Sequence, residues 1–237
     1  MNNPGQVFLI PNVIAEGTQE AVIPQHVKSA ILTCDFFLVE NLRTARRYIS
    51  SLKLGLTIEE LEFQILDKKT SYEDCFELLQ PVLNGKNVGI ISESGCPGVA
   101  DPGARLVHIA HQFRVKVNPL VGPSSILLAL MASGFNGQSF AFHGYLPIDK
   151  KDRQLAIRNL EKSSKELNQT QIFMDTPYRN EQLLADVIKT CRKDTYLCVA
   201  RDISGKEELI LSKPVEKWKP NEVKLKKIPT IFIIYST

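Results

Sequence analysis

The sequence predicts an α/β protein of two α/β domains, with a mostly parallel N-terminal sheet and a mixed C-terminal sheet. Three observations carry this. Apolar runs of strand length alternate with longer helical patterns, which signals sheets flanked by helices. The alternation restarts after the loop Val121-Gly122-Pro123-Ser124-Ser125. That places a boundary near Asn118 to Ser125 and assigns residues 1–117 and 118–237 to the two domains. Finally, Ser204-Gly205 forms a turn signal between Tyr196–Arg201 and Glu208–Leu211, so the C-terminal end is expected to be antiparallel.

Each element follows from a local signal. Val7 to Ile10 reads as a first strand, and Pro24 opens a helix where its missing N–H costs nothing. Phe36 to Val39 is an apolar strand, followed by a basic helix from Arg43 to Leu52 and a short strand at Leu61 to Leu66. Ser71 and Asp74 form a capping-box pair before a helix that Gly85 ends. Asn87 to Ser92 is a buried strand. Asp101 as N-cap and Pro102 as first residue start a helix to Gln112, and Val115 to Pro119 is a further strand. An apolar helix then runs to Ser133 with Gly134 as its cap. In the second half, strands are expected at Phe140–Leu146, Gln171–Asp175, Tyr196–Arg201 and Ile228–Tyr235, and helices at Lys151–Lys162 and Arg179–Cys191.

Composition narrows the function classes. A hydrophobic share of 43% and a charged share of 23% fit a soluble globular chain, and a net charge of +3 does not by itself indicate nucleic acid. No stretch approaches the roughly 20 apolar residues of a membrane span. Met1 to Gln6 lacks the basic and apolar regions of a signal peptide. Five dispersed cysteines without a CxxC pair argue for reduced thiols and a cytoplasmic setting. His108 and His111 share a helix face, yet no third ligand accompanies them, so no metal is expected.

Two corners carry the chemistry. Ser92 to Gly103 leaves a strand and enters a helix, and so does Pro119 to Ile126. In open α/β sheets ligands bind beyond the carboxyl ends of strands, and glycines there let backbone groups approach them. Either corner alone is as consistent with a purely structural loop. Neither is a P-loop or a GxGxxG fingerprint, so phosphate is not the expected ligand.

Five blocks in order then resemble one family. Ser92 to Gly103 resembles S-D-A-G-T-P-x-x-S-D-P-G, and Pro119 to Gly134 resembles P-L-P-G-P-x-x-x-x-x-A-L-x-x-S-G. Phe142 to Pro147 resembles G-F-L-P, followed by basic Lys150, Lys151 and Arg153. Phe173 to Arg179 is similar to F-Y-E-S-x-H-R, and Ala200 to Ile203 with Glu208 is similar to A-R-E-L-T-K-x-x-E. These are motifs of the tetrapyrrole-methylase superfamily of S-adenosylmethionine-dependent methyltransferases, in its ribosomal RNA small-subunit methyltransferase I branch.

The resemblance implies a cytoplasmic enzyme, usually a homodimer, with the cofactor in a cleft between its two domains and ribosomal RNA or the small ribosomal subunit as partner. Carried over by position, Gly95, Cys96, Val99, Ser124 and Ser125 would flank S-adenosylmethionine, with Leu146, Pro229 and Thr230 as further candidates. Departures are also visible. The first loop reads Ile10-Pro11-Asn12-Val13-Ile14-Ala15-Glu16-Gly17 instead of T-P-I-G-N-L-x-D-I-T. After the second strand, C-E-D-T-R becomes Val39-Glu40-Asn41-Leu42-Arg43, and Tyr178 stands where the branch has His. The chain ends at Thr237, short of the C-terminal helical module of longer members.

Methyl transfer from a sulfonium is an in-line displacement needing alignment and no metal. A ribose hydroxyl is a weak nucleophile, so a general base would help. Glu40, Glu93 and Asp101 are carboxylate candidates, and Arg43, Arg179 and Arg201 are candidate phosphate contacts. The residues alone single out no catalytic base, and they also admit a small-molecule methyltransferase or a non-catalytic cofactor-binding protein. For Asp101 a capping role suffices, for Arg43, Arg46 and Arg47 a solvated helix face is equally good, and for Tyr178 packing is the simpler reading.

Overall fold

Continuous apolar runs in the first half of the chain fold as buried parallel strands, in a computed structural model that describes residues 4–219 and 221–237. Met1 to Asn3, where the leader reading began, lie outside the described residues. The chain divides into two units, Met1–Ser124 and Ser125–Thr237.

In the first unit the strands are β1 (Gln6–Ile10), β2 (Phe36–Val39), β3 (Glu62–Ile65), β4 (Val88–Ile91) and β5 (Lys116–Pro119). All are parallel, in the order β3-β2-β4-β1-β5. The helices are α1 (Gln19–Val22), α2 (Gln25–Ile31), α3 (Leu42–Ser51), α4 (Tyr72–Leu83) and α5 (Gly103–Gln112). Side chains of a strand alternate between faces, and here the alternation divides the core in two. Phe36, Leu38, Val88 and Ile90 pack with Leu79 and Val82 of α4 and Leu106 and Ile109 of α5. Phe37, Val39 and Ile91 pack with Val27 and Ile31 of α2 and Tyr48 and Ile49 of α3.

This two-sided wrapping sets the position of the site. From β1 the chain passes by α2 to β2 and then to β3, whereas from β4 it passes by α5 to β5 on the other side of β1. The connections therefore diverge between β4 and β1, and the strand ends there open a crevice. The capping box forms as expected, since Ser71 Oγ accepts the Asp74 N–H at 3.0 Å and the Asp74 carboxylate accepts the Ser71 N–H at 3.0 Å.

The second unit carries α6 (Ser125–Ser133), β6 (Phe140–Tyr145), α7 (Lys150–Leu167), β7 (Thr170–Met174), α8 (Asn180–Thr190), β8 (Tyr196–Arg201), β9 (Leu209–Pro214) and β10 (Thr230–Tyr235). Its sheet, ordered β6-β7-β10-β8-β9, is mixed. The β6/β7 pair is parallel, while β10 runs antiparallel to both β7 and β8, and β8 and β9 form the antiparallel pair foreseen around Ser204-Gly205. Phe173 and Phe232 stack at 6.0 Å in a core that includes Ile157, Leu183, Val187 and Trp218. Helix α7 continues past the expected Lys162 to Leu167 and stops where Asn168 adopts a left-handed φ of 49°.

Candidate active site

The site in the first unit is assembled from loops at the carboxyl ends of β1, β2, β4 and β5. Asn12, the second residue after β1, is buried and stitches two of them together. Its amide donates to the carbonyls of Ser92 at 3.0 Å and Glu93 at 3.2 Å. Its backbone exchanges hydrogen bonds with Gly95, 2.8 Å from the Asn12 N–H and 3.2 Å in return. The Ser92 hydroxyl closes the turn onto the Gly95 carbonyl at 2.9 Å. Gly95 has φ +70°, a left-handed conformation that glycine tolerates best.

The β5 corner seats against this pair of loops. A Cβ on Gly122 would lie 2.1 Å from Pro11 Cβ, so only glycine allows the approach. The Cys96 thiol donates to the Pro123 carbonyl at 3.4 Å, and burial raises its pKa. Gly95 and Cys96 are thus brought beside Pro123, one residue before Ser124, and Val99 is half-exposed. Asp101 caps α5 differently from the expectation. Pro102 occupies the cap position, and Asp101 Oδ1 accepts from Gly98 N–H at 2.9 Å and Gly103 N–H at 2.8 Å.

Three carboxylates meet at the mouth of this crevice. Glu40 follows β2, Glu93 follows β4 and Asp101 precedes α5. Burial pushes the Glu40 carboxyl up to about 7, helped by the charge of Asp101 and a hydrogen bond to it, and by the charge of Glu93, against a lowering bond from the Glu93 N–H. Glu40 therefore holds a proton in a pH range where an ordinary carboxylate has lost it.

Beside the carboxylates lies a cleft of about 470 Å³ whose lining includes Val13, Glu16, Thr44, Arg47, Tyr48 and Glu93. The Tyr48 hydroxyl donates to the Pro11 carbonyl at 2.7 Å and fixes the first loop over α3. Arg47 faces Glu16 at 3.7 Å, both exposed, and Arg46 lies over the Phe63 ring at 5.5 Å. Arg43 is exposed at the start of α3, whose cap is the Asn41 side chain. Sequence reasoning missed Asn12 and Tyr48 as organisers of the site. The available signal was a polar residue two positions after a strand, in a loop noted only for its departures.

The second unit gathers another set at one sheet end. Arg201 pairs in register with Thr230, and Pro229 accepts the Asp202 N–H at 2.9 Å. Arg179 is bound by buried Asp175, and Arg201 donates to the Lys224 carbonyl at 2.7 Å while facing Glu207 at 3.9 Å. Both guanidinium groups thus already have partners. Leu146 is buried in the core, and Ser125 is the first residue of α6.

Two readings are corrected. Arg153, grouped with Lys150 and Lys151 as a basic surface, is 1% exposed. Its guanidinium bonds Asp186 at 2.6 and 2.9 Å and the carbonyls of Pro147 and Ile148, because the α7 face that carries it packs on α8. Tyr178 does not pack, being 74% exposed.

The residues of the first unit fit S-adenosylmethionine. Its adenosine and amino-acid parts suit backbone turns and small hydroxyls such as Ser92, Ser94 and Ser124, and its sulfonium charge suits a rim of carboxylates. Among the described residues no three His, Cys, Asp or Glu side chains are placed to hold a metal ion.

No family model matches the chain. Curated relatives do. It is 27% identical over 210 residues to ribosomal RNA small subunit methyltransferase I of Buchnera aphidicola subsp. Schizaphis graminum, covering 89% of this chain and 70% of that one. It is 26% identical over 214 residues to the protein of that name from Escherichia coli, covering 90% and 71%. Among solved structures, a diphthine synthase superposes with a TM-score of 0.70 at 14% identity, over 98% of this chain and 89% of that one. A uroporphyrin-III C-methyl transferase of Thermus thermophilus, solved with S-adenyl homocysteine, superposes with a TM-score of 0.58 at 14% identity, over 98% of both chains. The structural likenesses establish the fold, and the resemblance carried by five short blocks extends over nine tenths of the chain.

Proposed function

We propose that this chain, a relative of ribosomal RNA small subunit methyltransferase I, is a cytoplasmic S-adenosylmethionine-dependent methyltransferase that acts, as a homodimer, on a ribose hydroxyl of small-subunit ribosomal RNA. The observation that carries the reading is the crevice at the strand ends of the first unit. There Asn12 ties the first loop to the Ser92 corner, and the Cys96 thiol ties that corner to Pro123, beside a carboxylate poised near neutral pH.

S-adenosylmethionine supplies a methyl group already activated for displacement. The chain's own residues do the rest. Gly95, Cys96, Val99 and Ser124 flank the cofactor in this unit, and Ser125, Leu146, Pro229 and Thr230 are the candidates that the resemblance names in the second unit. Glu40 accepts the proton of the attacking hydroxyl, because a base is most effective when its pKa lies near the working pH. Burial, then the neighbouring Asp101 and Glu93, hold Glu40 in that range. The cleft beside Thr44 and Tyr48 receives the acceptor nucleotide, with Arg43 and Arg47 as exposed phosphate contacts. Arg179 and Arg201 shape their loops rather than grip phosphate.

Tritium transfer from labelled S-adenosylmethionine tests the reading, with metal chelated, on small ribosomal subunits from cells lacking this protein. Counts in RNA support it. Counts confined to small molecules would move the assignment to a small-molecule enzyme. No transfer, together with no S-adenosylhomocysteine binding by calorimetry, would remove the enzyme reading.

A further inference from the structure

The segment just before β10 is built unlike a loose basic loop. Val223 and Leu225 are buried, at 5% and 0% exposure, while Lys224, Lys226 and Lys227 between and after them face solvent. The alternation pins the segment to the core and aims its lysines outward. Backbone ties hold it as well. The Ile228 N–H donates to the Leu225 carbonyl at 3.1 Å, Arg201 donates to the Lys224 carbonyl at 2.7 Å, and the Asn180 amide donates to the Ile228 carbonyl at 2.7 Å.

A further tie joins this segment to the turn after β7. The Lys227 N–H donates to the Pro177 carbonyl at 2.9 Å, which sets Lys227 beside the turn that carries Tyr178, with Lys224 and Lys226 just upstream on the same anchored segment. Arg179 closes that turn, its N–H bonded to the Thr176 carbonyl at 2.9 Å and its guanidinium bound by Asp175. The turn therefore presents Tyr178 from a fixed base. None of the three lysines forms an ion pair among the described residues. The carboxylates of the neighbouring 202–208 loop are engaged within that region. Glu208 accepts the Ser204 N–H, Asp202 accepts the Glu207 N–H, and Glu207 faces Arg201.

We infer that Tyr178 and the anchored lysines 224, 226 and 227 form a platform for single-stranded RNA, the phenol stacking on an unpaired base and the lysines neutralising the adjoining phosphates. An exposed aromatic beside fixed cations is the combination that single-stranded nucleic acid requires, since every base has a face to stack and every linkage has a charge. It replaces the basic contact that Arg153, buried on Asp186, does not make. The inference rests on the RNA reading above.

Fluorescence anisotropy with a labelled single-stranded oligoribonucleotide of mixed sequence, titrated over a range of salt with S-adenosylhomocysteine present, tests it. Tyr178→Ala should weaken binding on the order of tenfold, and Tyr178→Phe should retain it. Lys224→Ala, Lys226→Ala and Lys227→Asn together should flatten the log–log salt slope by about 2, at roughly 0.7 per neutralised phosphate. Asn is chosen at 227 because that residue has φ +64°. An unchanged denaturation midpoint shows that the variants fold. If both variants bind RNA like the unsubstituted protein, the platform is wrong and the RNA reading stands. If the unsubstituted protein binds no RNA at low salt, the RNA reading falls and the platform falls with it.

Discussion

Glu40→Gln should lower the methyl-transfer rate by roughly 10² to 10⁴, the range that a positioned general base contributes. The amide keeps the shape of the carboxylate and loses the ability to take a proton. The pH profile separates this from a loss of fit. With Glu40 pushed up to about 7, the unsubstituted enzyme should gain activity as pH rises through neutrality and level off above it. The variant should lack that limb, with S-adenosylhomocysteine affinity little changed. Stability should show the same group with the opposite sense. Glu40 keeps its proton in the folded state at pH values where the unfolded chain has lost it. Stability therefore falls as pH rises from the ordinary carboxylate range to about 7. Removing the titratable group should flatten that fall, read as the melting temperature across the window.

Arg153→Met should destabilise the second unit by about 3 to 5 kcal/mol, because it leaves Asp186 buried without its cation. The two side chains are 2% and 6% exposed, so water cannot compensate. The carbonyls of Pro147 and Ile148 would lose their donor as well, which frees the start of α7. Trp218, the single tryptophan, is buried in this unit's core, so its fluorescence follows urea unfolding there. Joint replacement of Arg153 and Asp186 by Leu should recover most of the loss, since paired apolar groups carry no desolvation cost. An Arg153→Met variant as stable as the unsubstituted protein would show the pair to be dispensable.

These two residues also mark where the sequence is legible and where it is not. Phe36 to Val39 falls within its expected bounds because an unbroken apolar run between turn residues has one solution, a strand buried on both faces. Ser71 and Asp74 identify their helix start because a capping box is a local device. Arg153 is illegible because a cation in a basic run looks like surface. Its partner Asp186 lies on a different helix, and only packing brings them together. The Glu40 shift is illegible for the same reason, since it depends on burial and on Asp101 and Glu93 from another strand's loop. Helix α1, only four residues long, has no periodicity to read. The glycine corners were legible as corners, but that Gly122 must clear Pro11 is a fact of sheet order, with β5 beside β1.

Ribose methylation of small-subunit RNA is the activity proposed for the crevice that holds Glu40. Nucleoside mass spectrometry tests it most directly, on small subunits from cells lacking the protein, after incubation with S-adenosylmethionine and either the unsubstituted protein or Glu40→Gln. A 2′-O-methylated nucleoside is expected with the first and little or none with the second. A base-methylated nucleoside, or equal ribose methylation by both proteins, would contradict it.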